Sequence, residues 1–325
     1  MASTRSECHG DSHLTCCRRR IWKTAVVSVI AVVGSTVSGK SDLALALAER
    51  LGGEVVNADA MQLYRGMDIG TAKLPIEARR GIPHHQLDVL DVRQEASVAA
   101  YQRAARLDLA GIRSRRLRPI FVGGSGLYLR AALDRLEIPP TDPVVRGRLL
   151  GELEQVGIAA LHVRLMRADP IAAQAIQPNN ERRVVRALEV IELTGRPFSA
   201  TLPAREYELP TITIGLRVPR PELDARIAAR VHRMWDAGLL DEVRRLDSAG
   251  LREGRTAAKA LGYRQALAYL DGLCSAEQAV KDTIILTRRF ARRQESWFRP
   301  DSRIHWLAYD DPQLTDRALD FVCSA

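Results

Sequence analysis

Eight residues constrain this chain more than any other stretch. Gly34-Ser35-Thr36-Val37-Ser38-Gly39-Lys40-Ser41 fits the pattern G-x-x-x-x-G-K-[ST]. The pattern needs a strand before it and a helix after it, and both are predicted. Val26 to Val33 is a continuous Val-rich apolar run, typical of a strand buried on both faces. Ser41 to Leu51 places Leu43, Leu47 and Leu51 on one helical face and ends in Gly52-Gly53. In such a loop the backbone N–H groups and the helix N-terminus cradle phosphate oxygens. Lys40 supplies a compact charge, and Ser41 can hold Mg²⁺ through its hydroxyl. The alternative is a glycine turn with an incidental lysine.

The flanking pattern extends the prediction to a parallel sheet. Glu54 to Asn57 reads as a second strand, so strand, helix and strand form a right-handed crossover. Met61 to Pro83 reads as loop, and Leu87 to Leu90 as a candidate strand. Ser97 to Arg116 reads as a helix with Tyr101, Ala105 and Leu109 on one face. Pro119 to Val122 is a compact strand followed by Gly123-Gly124-Ser125-Gly126 and a helix over Leu127 to Leu133. Pro139, Pro140 and Pro143 mark a boundary. Beyond them the pattern is helical: Pro143 to Val156, Pro170 to Ile176 and Glu181 to Leu193. Thr211 to Val218 returns to strand, helices follow near 221–237, 239–249, 257–270 and 275–298, and Ile304 to Leu307 is a last strand. The expected fold is α/β, a P-loop NTPase-like parallel sheet core (25–136 and 207–325) with a helical insertion (137–206). Residues 1–24 read as a disordered basic tail.

Composition narrows the class. At 325 residues with 46% apolar and 27% charged residues, the chain is ordinary globular protein. The run near residue 25 is too short to cross a bilayer as a helix, and it leads into the phosphate loop instead of a cleavage site. No membrane association and a cytoplasmic location are therefore expected. The five cysteines lie near the two ends, in a number unsuited to a secreted disulfide scaffold. Cys8, Cys16 and Cys17 with His9 and His13 form a weak zinc pattern. The net charge is +9, and all but five of the 48 basic residues are arginine. That excess permits a polyanionic partner without proving one.

Three further groups carry chemistry. Asp59 follows the second strand, at the edge where parallel sheets bind ligands. It can act as a general base, order Mg²⁺, or cap structure. Beside it stand Met61, Gln62, a candidate reader of an adenine edge, and Gly70-Thr71-Ala72-Lys73. Ser125 lies in the second glycine turn, which offers more N–H donors to the same anion. His84 and His85 are a poor metal pattern. Basic bands form the third group: Arg182, Arg183, Arg186 and Arg196 in the insertion, and Lys281, Arg288, Arg289, Arg292, Arg293 and Arg299 on the last long helix. Such bands suit nucleic-acid phosphates, or are simply solvated faces. Leu286, Phe290 and Trp297 are expected to pack into the core.

Taken with Pro83-His84-His85, Gly123 to Tyr128, Asn180 to Gly195, Gly262-Tyr263-Arg264-Gln265 and Arg292 to Arg299, these motifs closely resemble the tRNA dimethylallyltransferase family, also called tRNA isopentenyltransferase. The resemblance spans about residues 26 to 308. It implies transfer of a dimethylallyl group from dimethylallyl diphosphate to N6 of the adenosine 3′-adjacent to the anticodon, in tRNAs reading codons that begin with U. It implies a flipped base and an anticodon stem clamped by the insertion. Asp59 matches the family's acid that takes the amine proton. Lys40, Ser41, Ser125 and Arg264 match positions that hold the leaving diphosphate, and Thr71 a position lining the site. Mg²⁺ is the expected cofactor and a monomer the expected state. Ser35, Val37 and Ala60 depart from the family pattern, which has Pro, Ala and commonly Ser there. Two rivals use the same residues: a small-molecule kinase or ATPase, which lacks a convincing second Mg²⁺ acid, and a silent tRNA-binding protein.

Overall fold

The computed structural model describes residues 28–201 and 205–324. The tail, with its cysteine and histidine pattern, lies outside the described residues.

The sheet grows outward from the strand that feeds the loop. That strand is β1 (Val29–Gly34), buried along its whole length. The others are β2 (Gly53–Asn57), β3 (His84–His85), β4 (Arg118–Gly123), β5 (Thr211–Arg217) and β6 (Ile304–Ala308). Six parallel strands run in the order β3-β2-β4-β1-β5-β6. Period-two alternation splits β1 between two cores. Val29, Ala31 and Val33 face α2 (Val98–Ser114) and α3 (Gly126–Leu133), through Tyr101, Ala105, Leu109, Tyr128 and Leu129. Ile30 and Val32 face α1 (Lys40–Leu51), through Leu43 and Leu47, and residues of a C-terminal helix including Leu319. Burial on both faces explains why β1 reads as an unbroken apolar run.

The chain divides into two compact units. Asp134–Glu206 forms one, and the rest of the chain the other. The smaller unit contains α4 (Pro143–Ala168), α5 (Pro170–Ala175) and α6 (Glu181–Thr194), started by Asp142, Asp169 and Asn180 side chains that accept backbone N–H bonds. Leu149, Leu161, Leu165, Val184 and Leu188 fill its core. The expected helix does end at Val156: Gly157 is non-helical (φ 77°, ψ 166°), and a second helical piece follows it within the span of α4. The glycine supplies a left-handed residue that joins two helical pieces.

The larger unit adds α7 (Arg220–Asp236), α8 (Leu239–Ser248), α9 (Tyr263–Leu270), α10 (Ala276–Phe298) and α11 (Leu314–Ser324). Three expectations change. Leu87 to Leu90 is no strand, since only Leu90 bridges, to Tyr64; the edge strand is His84–His85. The expected helix over 257–270 is a 3₁₀ turn at Ala257–Lys259 followed by α9, broken at Gly262. Trp297 is not core: it is 40% exposed, while its neighbour Phe298 is buried.

Candidate active site

The loop 34–41 sits at the C-terminal edge of β1 and runs into α1. Lys40 Nζ folds back to donate to Ser35 O at 2.5 Å. Its pKa is lowered to about 8, first by burial and then by the charge of Arg230; Asp59 opposes the shift. Ser38 Oγ is buried and has no hydrogen-bond partner among the described residues. A buried hydroxyl aimed within an anion loop suits a phosphate oxygen. Val37 adopts φ 65°, an unfavourable place for a β-branched side chain. It is held there from outside: its side chain packs with Leu223 and Ile227, and its carbonyl accepts from Arg226 Nε at 3.2 Å.

Two arginines on α7 therefore serve the loop, and neither was singled out in the sequence. Arg226 holds Val37, and Arg230 donates to Thr36 Oγ1 at 3.4 Å. Burial holds the Arg230 guanidinium below its usual range, and Asp59 opposes that shift. Lys40, Arg230 and Asp59 thus interact electrostatically around one loop. The available signal was modest: two arginines four residues apart, on the helix after the strand beside β1.

Asp59 stands just past β2. Asn57 Oδ1 accepts from its N–H at 3.0 Å, and its own Oδ1 accepts from Met61 N–H at 2.9 Å. Ser125 is brought to the same place, its Oγ accepting from Ala60 N–H at 3.4 Å. The close approach of the two turns requires Gly123: a Cβ there would meet the Ala58 carbonyl carbon at 2.4 Å. Ser41, Asn57 and Gln62 line one narrow cleft with His84 and Leu87.

Gln62 is anchored at one end, its Nε2 donating to Thr71 O at 3.1 Å. Thr71 spends its hydroxyl on Met67 O at 2.6 Å. The turn carrying Thr71 is held by a residue absent from the sequence expectations. Glu242, 2% exposed on α8, accepts from the N–H groups of Asp68 (3.2 Å), Ile69 (2.8 Å) and Gly70 (3.3 Å), and from Tyr263 Oη (2.5 Å).

Several expected contributors are occupied elsewhere. Lys73 is a buried structural cation on Asp68 (2.7 Å), Asp88 (2.6 Å) and Tyr64 O. Arg264 is exposed at the start of α9 and makes no side-chain hydrogen bond or ion pair among the described residues, while Arg226 and Arg230 contact the loop. Arg186 binds Pro139 O, Pro140 O and the fully buried Glu189. Arg288 is tied to Asp224 O. Arg182, Arg183, Arg289, Arg292 and Arg293 are exposed. His85 lies between Glu54 (2.7 Å) and Asp108 (3.5 Å), and His84 bonds Ile82 O. Among the described residues no three His, Cys, Asp or Glu gather for a metal. A Mg²⁺ ion, which tolerates one protein ligand and takes the rest from phosphate and water, still fits Ser41 at the head of α1.

Among the described residues a P-loop parallel sheet carries Asp59 near its anion loop and no second acid closing an apolar strand, an arrangement that suits a group transferase better than a nucleoside triphosphatase. The IPP transferase family matches residues 62–301. The chain is 61% identical to the tRNA dimethylallyltransferase of Thermobifida fusca, over 91% of this chain and 94% of that one. It is 62% identical to that of Streptomyces coelicolor, over 90% and 95%. Among solved structures, it resembles the tRNA isopentenylpyrophosphate transferase of Bacillus halodurans (TM-score 0.69, 38% identity, 92% of this chain and 96% of that one). It also resembles a eukaryotic dimethylallyltransferase acting on tRNA (TM-score 0.78, 28% identity, 91% and 80%). This chain belongs to the tRNA dimethylallyltransferase family.

Proposed function

We propose that the protein moves the dimethylallyl group of dimethylallyl diphosphate onto N6 of the adenosine 3′-adjacent to the tRNA anticodon, with Asp59 as the base. The observation that carries this reading is the convergence of Lys40, Arg230 and Asp59 around one loop. The N6 lone pair forms a bond to C1 of the allyl group as the C1–O bond breaks. The bonding pair leaves with diphosphate, and the amine proton passes to Asp59. Met61 and Gln62, close after Asp59 in the chain, are assigned to the adenine, and the second hydrogen on Gln62 Nε2 remains for a ring nitrogen.

The departing diphosphate needs preorganised positive charge. Lys40, Arg230, the loop N–H groups, the Ser38 and Ser125 hydroxyls, and the N-terminus of α1 supply it. Mg²⁺ at Ser41 would neutralise further charge on the same oxygens. An adenine stacked in the anticodon loop cannot reach the allylic carbon, so the base must be flipped. Exposed Arg289, Arg292 and Arg293 on α10 and Arg182 and Arg183 on α6 are suited to tRNA phosphates. One chain carries every group this reaction uses, which favours a monomer working where tRNA is found, in the cytoplasm. No helix among the described residues is long and apolar enough to cross a membrane.

The test uses purified protein, Mg²⁺, labelled dimethylallyl diphosphate and unmodified tRNA. Label is expected on that one adenosine, located by nuclease digestion and mass spectrometry. Asp59→Ala should lower transfer by about 10²- to 10⁴-fold, the usual share of a general base, while tRNA and diphosphate still bind. Tenfold or smaller loss would remove Asp59 from the base role. ATP hydrolysis without label in RNA would overturn the transferase reading.

A further inference from the structure

The motif Arg292-Arg293-Gln294 contains one residue that no step above uses. Gln294 is 5% exposed, in the midst of a helix whose neighbouring arginines face solvent. Its carboxamide reaches two separate turns. Thr36 N–H, in the first glycine loop, donates to Gln294 Oε1 at 2.8 Å. Gln294 Nε2 donates to Gly124 O, in the second glycine turn, at 3.0 Å. The partners fix the amide orientation, because an N–H must meet the oxygen and a carbonyl must meet the NH₂.

The spacing between the turns is tight on every side. A Cβ on Gly124 would lie 2.0 Å from Gln294 Nε2, and one on Gly126 would lie 1.9 Å from the Trp297 ring, one helical turn further along α10. The first loop also contains Lys40 and the buried Ser38; the second contains Ser125, which binds the Ala60 N–H beside Asp59. The β1–β4 ladder runs only as far as Val33 and Gly123, so Thr36, three residues further on, lies beyond its reach. A side chain bonded to both turns can set their separation.

We propose that Gln294 is a positioning residue that braces the two glycine turns at the separation a diphosphate needs. Both polar atoms of its carboxamide are engaged by the two turns. The inference rests on the reading of these turns as the diphosphate site. An amide suits the role because it presents a donor and an acceptor on one planar group at every pH, and Asn is one methylene shorter.

The sharpest test replaces Gln294 by its charged isostere. In Gln294→Glu, one carboxylate oxygen still accepts from Thr36, but the other faces the Gly124 carbonyl oxygen. Two acceptors repel, and burial and repulsion both favour the protonated acid. Once protonated, the carboxyl donates to Gly124 O and the brace is restored. Binding of inorganic diphosphate with Mg²⁺ to the full chain is measured by calorimetry at pH 8 and pH 6, always as the ratio to the unsubstituted protein. That ratio cancels the titration of diphosphate itself.

The expected result is affinity about tenfold weaker at pH 8, recovering to within about threefold at pH 6, with tRNA affinity unchanged. In the transfer assay the KM for dimethylallyl diphosphate should rise about tenfold while the KM for tRNA holds. Gln294→Asn and Gly124→Ala break the same brace by shortening it or crowding it, and should weaken diphosphate without recovery at low pH. They also decide the matter if the Glu variant does not fold. Unchanged diphosphate affinity in folded variants, or a loss in Gln294→Glu that ignores pH, overturns the proposal. Diphosphate binding that depends on Gln294, in a wild-type protein that transfers nothing to tRNA, would leave the brace standing and remove the transferase reading.

Discussion

The lowered pKa of Lys40 makes the pH profile of the reaction a direct probe of the loop. In the free enzyme the ammonium titrates at about 8. Only the charged form attracts the diphosphate, so binding weakens as pH rises. A group with pKa about 8 is roughly nine-tenths charged at pH 7, half at pH 8 and one-tenth at pH 9. The kcat/KM for dimethylallyl diphosphate, which reports the free enzyme, should therefore fall about fivefold between pH 8 and 9. It should then approach about tenfold per unit. The bound diphosphate favours the charged form, so the limb in kcat should appear at higher pH. Arg230→Gln removes the positive neighbour while leaving Asp59 in place. Its alkaline limb should move upward, even as kcat/KM at pH 7 drops by about a hundredfold, on the order of the loss of one preorganised donor. The assay is label transfer to saturating tRNA from pH 6.5 to 10, with Lys40→Met as the variant that should show no such limb. A wild-type profile flat to pH 9.5, or a limb unmoved by Arg230→Gln, would refute the electrostatic reasoning.

Two further outcomes follow from residues around the site. Glu242→Ala leaves three backbone N–H groups and the Tyr263 hydroxyl without their acceptor. It should cost about 3–5 kcal/mol, lowering the Tm by roughly 6–20 °C at about 2–4 °C per kcal/mol; Glu242→Gln should cost less, as calorimetry would show. Arg264→Ala should leave kcat/KM for the donor within about threefold, against about a hundredfold for Arg230→Gln. A larger loss at Arg264 than at Arg230 would restore the assignment made from the sequence motif.

The sequence made the sheet legible where burial was uniform and the turns where glycine was unavoidable. β1, α1, β2 and β4 with its glycine turn follow from apolar runs and helix periodicity, and Asp59 from its place at a strand end. The edge was not legible. Two histidines form β3, a pairing set by β2 and not by their own propensity. Side-chain destinations were the weakest part. The motif marks Lys40, but nothing in one dimension marks Arg230 above the other arginines or shows that Lys73 is spent on structure; only packing decides that. Asp68 and Asp88 take Lys73, and α7 delivers Arg230. Glu242 and Gln294 act on backbone groups far away in the chain, and a backbone partner leaves no residue-specific trace in a sequence.

Because the central strand is made first and its neighbours late, synthesis and folding are out of step. β1 emerges early and can pair with β4, but β5 and β6 arrive only after residue 210. Until then one edge of an all-apolar strand is open, and every remaining contact closes a long loop. The helical unit at 134–206, built from local contacts around its own core, can condense on the ribosome meanwhile. The nascent larger unit must wait, with the edge exposed to mispairing. A chain arrested before β5 should therefore hold a folded middle and an unfinished sheet, and should depend on chaperones that the released protein no longer needs.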